Sequence, residues 1–303
     1  MEVMIYGLFI ILLSVPSGSF LPEDDVYLSR SAASWAQDLP NADPQVRRAA
    51  VFAMGKLGKH SLPHLPVLYR MLLDEQMPAV RRVVADSLTE LGPQSPDESL
   101  TCYLKAWLLE KELNIRRQLL TAMGKLGERA SRAEPVFVQS LSDADIPLKQ
   151  QALWSLGQLG KVQEATVFKV SAFLAEPDIR LRREAVTTLG NLGAQSQEVL
   201  VPMIKTLTDR DASVQEQGVL ALRKLGPLAS ASIAPLLSVA ESKQAEAPLR
   251  QAALITLETV WPTGAKEPAA WERLQSLAEV SADVEAVKQT AVQVEKKVGA
   301  LRK

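Results

Sequence analysis

The sequence predicts an all-α protein, an α-α superhelix of about seven to eight stacked helix pairs. Three observations predict it. The hexapeptide Ala-Met-Gly-Lys-Leu-Gly occurs twice, at residues 53–58 and 122–127. Leu-Gly recurs at Leu57-Gly58, Leu91-Gly92, Leu126-Gly127, Leu159-Gly160, Leu192-Gly193 and Leu225-Gly226, at intervals of 33–35 residues. The two hexapeptides therefore lie two periods apart, and self-similarity of this length marks stacked repeats rather than one compact core. Third, an aliphatic column runs eleven residues ahead of each of those leucines, at Val46, Val80, Ile115, Leu148, Leu181 and Val214, and continues at Leu249 and Val284. No alternating strand pattern is visible, so no sheet is expected.

Composition agrees. Hydrophobic residues make up 47% of the 303 residues and aromatics only 5%; in a stacked architecture, length counts units rather than domains. The formal net charge is −1, which lacks the basic footprint of a nucleic-acid binder. No nucleic-acid partner is expected.

Along the chain, residues 1–19 come first. Residues 3–15 are thirteen apolar or small residues, short of the roughly 20 that a membrane span requires. The run fits the core of a signal peptide or a membrane tether, and Ser-Gly-Ser at 17–19 supplies small residues for cleavage. Glu2, with no Lys or Arg before the run, departs from the basic start of such peptides; an apolar helix capping the stack is the other reading. Export or membrane association in a bacterial periplasm or envelope is expected, with a cytoplasmic location as the alternative. Residues 20–40 are read as an N-terminal capping helix, 41–281 as the repeats, and 282–303 as a C-terminal capping helix.

Within a repeat, Leu181, Ala185, Leu189 and Leu192 form one apolar stripe at helical spacing. Gly193 follows as a left-handed C′ residue. Asp178, three residues before Leu181, suits the N-cap by accepting backbone N–H groups. Asp43, Asp145, Asp211, Glu112 and Glu246 occupy the matching positions, Pro44 suits a first helical residue, and Met77 and Ser281 break the column. A first helix fills each interval between a Leu-Gly and the next acidic cap, as at 134–143 and 198–209, often opening near a proline (Pro66, Pro135, Pro202, Pro235). One such pair cannot bury its own apolar faces, so neighbours must stack.

Chemistry is sparse. His60 and His64 are the two histidines; Pro63 lies between them and no Cys or carboxylate completes a set, so no metal is expected. There is no phosphate-binding loop; residues 55–60 read as a helix end with its glycine. The single cysteine, Cys102, sits in an apolar helix and reads as core. No Ser or Cys has a credible His partner. No catalytic residue and no cofactor are expected, and the chain reads as not an enzyme.

The units Asp-Pro-Gln-Val-Arg-Arg-Ala-Ala-Val-Phe-Ala-Met-Gly-Lys-Leu-Gly (43–58) and Asp-Ile-Arg-Leu-Arg-Arg-Glu-Ala-Val-Thr-Thr-Leu-Gly-Asn-Leu-Gly (178–193) resemble HEAT repeats, a family of armadillo-like helical solenoids. They lean toward the phycobilisome-lyase-type HEAT-like variety. The resemblance covers about residues 41–281. It implies that the second helix of each pair lines a concave surface. It also implies a ladder between neighbouring repeats, formed by the acid of the turn and the Arg after the column residue. The acids are Asp43, Glu112, Asp145 and Asp178; the arginines are Arg47, Arg81, Arg116 and Arg182, with Arg250 further on. Lys149, Gln215 and Glu285 depart from this column, so the ladder should weaken from the sixth unit onward. Some HEAT-repeat enzymes hold iron through His-Glu pairs, and neither histidine here is followed by Glu.

Positions three, six and ten after the column residue form a stripe away from the core. It reads Ala49-Phe52-Lys56, Val83-Asp86-Glu90, Gln118-Thr121-Lys125, Gln151-Trp154-Gln158 and Glu184-Thr187-Asn191 in the first five units. Phe52 and Trp154 stand out as anchors; packing between repeats is the competing reading. A second arginine column, Arg48, Arg82, Arg117 and Arg183, offers a basic strip to an acidic peptide, or lies along the repeats offsetting Glu90, Glu128 and Glu184. The expected function is a monomeric, non-catalytic scaffold. Its protein or peptide partner would bind Phe52, Arg82, Arg117, Gln151, Trp154, Gln158 and Arg183. An accessory subunit of a lyase-type or other enzyme complex is the alternative.

Overall fold

The computed structural model describes residues 25–193, 197–265, 267–280 and 285–302. The predicted signal or tether segment 1–19, and Ser281 and Val284 of the predicted columns, lie outside these residues.

The chain enters through a short ribbon, β1 (Val26–Tyr27) antiparallel to β2 (Arg30–Ser31), followed by the five-residue helix α1 (Ala32–Ala36). This corrects two expectations, the absence of any sheet and a simple capping helix over 20–40. The physical reason is a knot of local contacts that no periodic stripe announces. Trp35 Nε1 donates to the Tyr27 carbonyl at 3.0 Å, and the Arg30 guanidinium stands 3.9 Å over the Trp35 ring. His60 Nε2 lies 2.8 Å from Asp25 Oδ1. The ribbon and α1 thus both pack against α2.

Eight helix pairs follow from α1. They are α1 with α2 (Pro44–Leu57), α3 (Leu65–Asp74) with α4 (Pro78–Leu91), α5 (Pro96–Leu109) with α6 (Leu113–Lys125), and α7 (Glu134–Ser140) with α8 (Ile146–Gln158). Then come α9 (Glu164–Ala172) with α10 (Ile179–Leu192), α11 (Gln197–Lys205) with α12 (Ala212–Leu225), α13 (Ile233–Glu241) with α14 (Ala247–Val260), and α15 (Pro268–Val280) with α16 (Glu285–Leu301). The C-terminal helix is therefore the second helix of an eighth pair, packed on both α14 and α15. Among the described residues, no helix is long and apolar enough to cross a membrane.

The even-numbered helices form one layer, each stacked on the next, and the odd-numbered helices form a looser second layer. Closer spacing on one side bends such a stack toward that side, so the even-numbered helices line the inner face. The predicted stripe points between the layers: Leu181, Ala185, Leu189 and Leu192 are all buried, as are Val80, Ile115, Leu148 and Val214 of the column.

Side chains at the helix ends follow the cap chemistry, with two corrections. Asp43, Asp145, Asp178 and Asp211 each accept a backbone N–H within the first turn. Glu112 and Glu246 occupy the cap position without a side-chain bond, because the extra methylene carries the carboxylate past the first-turn amides. Gly193 has φ of 70°, the left-handed conformation that lacks steric cost only for Gly. Gly92 instead stays right-handed at φ −56°. There the missing Cβ makes room for Tyr103, whose hydroxyl donates to the Leu88 carbonyl at 2.6 Å.

A further column brings the backbones of four inner-helix pairs close together. The first Gly of each Gly-x-Leu-Gly, at Gly55, Gly124, Gly157 and Gly190, faces a small residue of the next helix: Ser87, Ser155, Thr188 and Ala221. A Cβ on Gly190 would stand 2.8 Å from Ala221 Cβ and 3.0 Å from its Cα, closer than real carbons approach. The opposing hydroxyls reach back across the contact. Ser87 Oγ donates to the Val51 carbonyl at 3.0 Å, Ser155 Oγ to Leu120 at 2.9 Å, and Thr188 Oγ1 to Leu153 at 2.9 Å.

The arginine ladder forms with different acids from those predicted. Arg182 Nε and Nη2 grip Asp209 at 2.9 and 3.0 Å, while Nη1 donates to the Glu176 and Pro177 carbonyls. Arg47 grips Glu75 at 2.7 and 2.8 Å, and Arg81 grips Glu110 at 2.9 and 3.1 Å. Each acid ends the first helix of the following pair. It stands two residues before the cap, where it also accepts the cap's backbone N–H, as Glu75 does from Met77 and Asp209 from Asp211. The cap residues Asp43, Asp145 and Asp178 are occupied by their own first turns; Asp178 also holds Arg180. The break in the ladder comes earlier than the sixth unit. Among the described residues Arg116 makes no close ion pair; it lies 4.6 Å over the Trp107 ring, with Nε on the Glu110 carbonyl at 3.0 Å. At Gln215 a single bond to the Asp209 carbonyl remains. The Arg47 bond holds the Glu75 carboxyl below the usual carboxylate range, against burial that pushes it up.

Two tests follow from this packing. Gly190→Leu should lower the melting temperature, because overpacking a close contact costs about 1–3 kcal/mol; Arg223→Leu, at the same position of the next repeat but exposed, should not. Arg182 is only 4% exposed, so Arg182→Ala should cost about 3 kcal/mol by stranding Asp209. Arg180→Ala, which breaks a solvent-facing pair, should leave the denaturation curve in place. A double-mutant cycle with Asp209→Asn checks that the loss belongs to that pair.

A candidate binding groove on the inner face

The stripe at positions three, six and ten sits on the inner layer, and its centre is a groove. Two adjoining depressions run across α4, α6, α8 and α10. The first, about 320 Å³, is polar: Arg82 and Asp86 of α4 face Asn114, Arg117, Gln118 and Thr121 of α6 and Gln151 of α8. The second, about 440 Å³, shares Arg117, Thr121 and Gln151 and adds Lys125, Pro147, Gln150, Trp154 and Glu184. A third of about 420 Å³ continues one helical turn along α10 from Glu184, at Thr187, Gln217, Leu220 and Lys224.

Trp154 is partly buried because its ring lies across Gly124; a Cβ there would stand 2.7 Å from Trp154 Cζ3. The ring therefore packs between repeats and also forms a wall of the second depression. Arg117 stands where the two depressions meet. Its Nη2 donates to Asn114 Oδ1 at 2.6 Å, its Nε is buried without a hydrogen-bond partner, and the nearest carboxylate, Asp145, is 3.9 Å from Nε.

Of the seven predicted contact residues, Arg82, Arg117, Gln151 and Trp154 line the first two depressions. Gln158 turns its amide back to the Trp154 carbonyl at 3.4 Å. Arg183 is exposed beside Glu184, outside the depressions. Phe52 stands apart from them, edge-on to Tyr27 of the entry ribbon with ring centroids 6.2 Å apart. Asn114, Pro147 and Gln150 were missed, since they lie off the three-position stripe. Gln217, Leu220 and Lys224 were missed only because the stripe was followed through five units; they are positions three, six and ten after Val214.

Part of the stripe ties repeat to repeat. Lys125 reaches Glu90 at 2.8 Å, Lys224 reaches Asn191 Oδ1 at 2.6 Å, and Gln118 donates to Thr89 at 2.9 Å. Burial pushes the Asp86 carboxyl up, with Arg82 pulling it back. Burial also pushes Glu184 up, moderated by Gln150 and Arg183. Away from the groove, Cys102 is buried and its thiol is pushed up to about 12 by burial, which leaves it an inert core thiol at neutral pH. Among the described residues, no three His, Cys, Asp or Glu side chains are grouped to hold a metal ion.

Comparison with known proteins bears on this architecture. The model of the HEAT repeats family matches residues 169–258, from within α9 to α14. No curated protein matches the chain. Among solved structures, an engineered protein is 17% identical with a TM-score of 0.58, over 88% of this chain and 78% of that one. An archaeal HEAT-like repeats protein from Thermococcus onnurineus NA1 is 16% identical with a TM-score of 0.52, over 78% of this chain and 98% of that one. Kap121p is 16% identical with a TM-score of 0.58, over 89% of this chain and 32% of its own, so this chain spans about a third of Kap121p. At such identities the likeness shows the fold: a HEAT-like helical solenoid.

The Asp86 environment yields a test with a definite sign. A carboxyl whose folded pKa lies above its unfolded value opposes folding once the pH rises through that range. Asp86→Asn should therefore raise the melting temperature at neutral pH, and the gain should shrink as the pH falls toward the ordinary Asp value of 3.8.

Proposed function

We propose that this protein is a non-catalytic scaffold that holds an extended segment of a protein partner along the inner face of its solenoid. The observation that carries this reading is the continuity of the groove. Three depressions lie along successive inner helices, the first two sharing Arg117, Thr121 and Gln151, with Arg82 in the first and Trp154 in the second. An extended inner face of stacked repeats is suited to following a long ligand. The polar, solvated lining offers hydrogen bonds along that path, and Trp154 offers the large amphipathic surface that anchors interfaces. The match to HEAT repeats at large supports a binding module; no particular side chain favours an accessory role in a lyase-type complex. The apolar run at 3–15 supports a scaffold that is exported or held at a membrane.

The test begins with partners captured from the native host. Trp154→Ala, first shown to keep its melting temperature, should weaken a captured partner about 30-fold, the effect of losing an anchor of about 2 kcal/mol. Val201→Ser, on the exposed outer layer, should leave binding within about twofold. Equal binding by the Trp154 variant and loss in the outer-layer variant would move the site off the groove.

A further inference from the structure

We infer that the first two depressions read a two-point motif. A carboxylate side chain of the bound segment is held between Arg82 and Arg117, and a large apolar side chain about three residues away rests against Trp154. This deepens the groove reading and rests on it.

The ladder guanidiniums of Arg47, Arg81 and Arg182 make four hydrogen bonds each, to one carboxylate and two carbonyls. One residue further along the same helices the situation reverses. Arg82 makes no hydrogen bond or close ion pair among the described residues, and Arg117 has one hydrogen bond, to Asn114, while its Nε, 3.9 Å from Asp145, makes none. The two lie on neighbouring inner helices and line the same depression. Two guanidiniums with unused donors across one polar cleft form a fork suited to an oxyanion.

Charge decides which oxyanion. The lining of that cleft contains two guanidiniums and the carboxyl of Asp86, and Asp145, outside the lining, stands 3.9 Å from Arg117 Nε, so the surplus is at most about +1 when Asp86 is ionised. One carboxylate neutralises it, whereas a phosphate, at about −1.5 to −2, overshoots. The occupant is therefore the side chain of Glu or Asp.

The second point follows from geometry. The depression on the other side of Arg117 has Trp154 and Pro147 in its wall, with the aliphatic stem of Lys125. The two depressions are offset by about one repeat, roughly 10 Å for packed helices. An extended chain advances about 3.3 Å per residue, so about three residues separate the two side chains.

The test uses fluorescein-labelled synthetic peptides in a Ser/Ala background. They carry Glu-x-x-Leu or Leu-x-x-Glu, and the same peptides with Gln for Glu, Ala for Leu, phosphoserine for Glu, or six residues between the two points. They are titrated by anisotropy against the full chain and against Arg117→Gln, Arg82→Gln and Trp154→Ala, each with its melting curve checked. At least one order of Glu and Leu should bind the full chain about tenfold tighter than its Gln counterpart. That ratio should fall toward one in Arg117→Gln and Arg82→Gln. Trp154→Ala should lose the preference for Leu over Ala and keep the preference for Glu over Gln. Arg82→Gln, being exposed, keeps the test decisive if Arg117→Gln unfolds.

The inference is overturned if no peptide binds, if Glu and Gln bind alike, if phosphoserine binds more tightly than Glu, or if the six-residue spacing binds equally well. An effect of Trp154→Ala alone would leave the groove reading standing and remove the carboxylate site. Binding that none of the three substitutions alters would remove both.

Discussion

Everything in this molecule depends on how closely successive inner helices approach. An α-helix with ordinary side chains keeps its neighbour 8–10 Å away. Here a glycine on one helix meets a serine, threonine or alanine on the next, so the backbones nearly touch. The hydroxyls then donate to carbonyls of the facing helix, which keeps the close contact from stranding buried polar atoms. The outer helices have no such column and sit further apart.

The arginine ladder does a separate job. It links the turn at the start of one second helix to the acid that ends the next first helix. Each guanidinium satisfies carbonyls that its own helix pair leaves open, and each acid satisfies the amide of its own cap. Charge, cap and repeat contact are thus one network, and burial makes it costly to break in part. Arg116 shows that the network is replaceable: an indole face takes the guanidinium where no close acid does.

The groove is a consequence of both. Repeat spacing places one inner-face arginine or amide per helix, and the ladder consumes the neighbouring arginine column, leaving the second column with donors to spare. Trp154 belongs to both features, since the ring that lies across Gly124 also lines the second depression.

The sequence by itself determined the architecture. A period of 33–35 residues, apolar stripes at helical spacing, aspartate caps and terminal glycines are local features, and a solenoid is little more than local units stacked on their neighbours. The inner-face residues at the groove's centre were legible for the same reason, because a helical wheel applied to each unit tells which face Arg82, Arg117, Gln151 and Trp154 share. What only the tertiary structure decided were the contacts between units. Sequence spacing cannot tell whether Arg182 meets Asp178 in its own turn or Asp209 in the next repeat, because both lie within reach of a long side chain. It cannot show that Phe52 stands edge-on to Tyr27, because the entry ribbon has no period. Nor can it show that the first glycine of Gly-x-Leu-Gly faces a hydroxyl 31 or 32 residues further on, as Gly157 faces Thr188 and Gly124 faces Ser155. Those pairings depend on the rotation between neighbouring repeats, which is set by packing and exists only once the stack has formed.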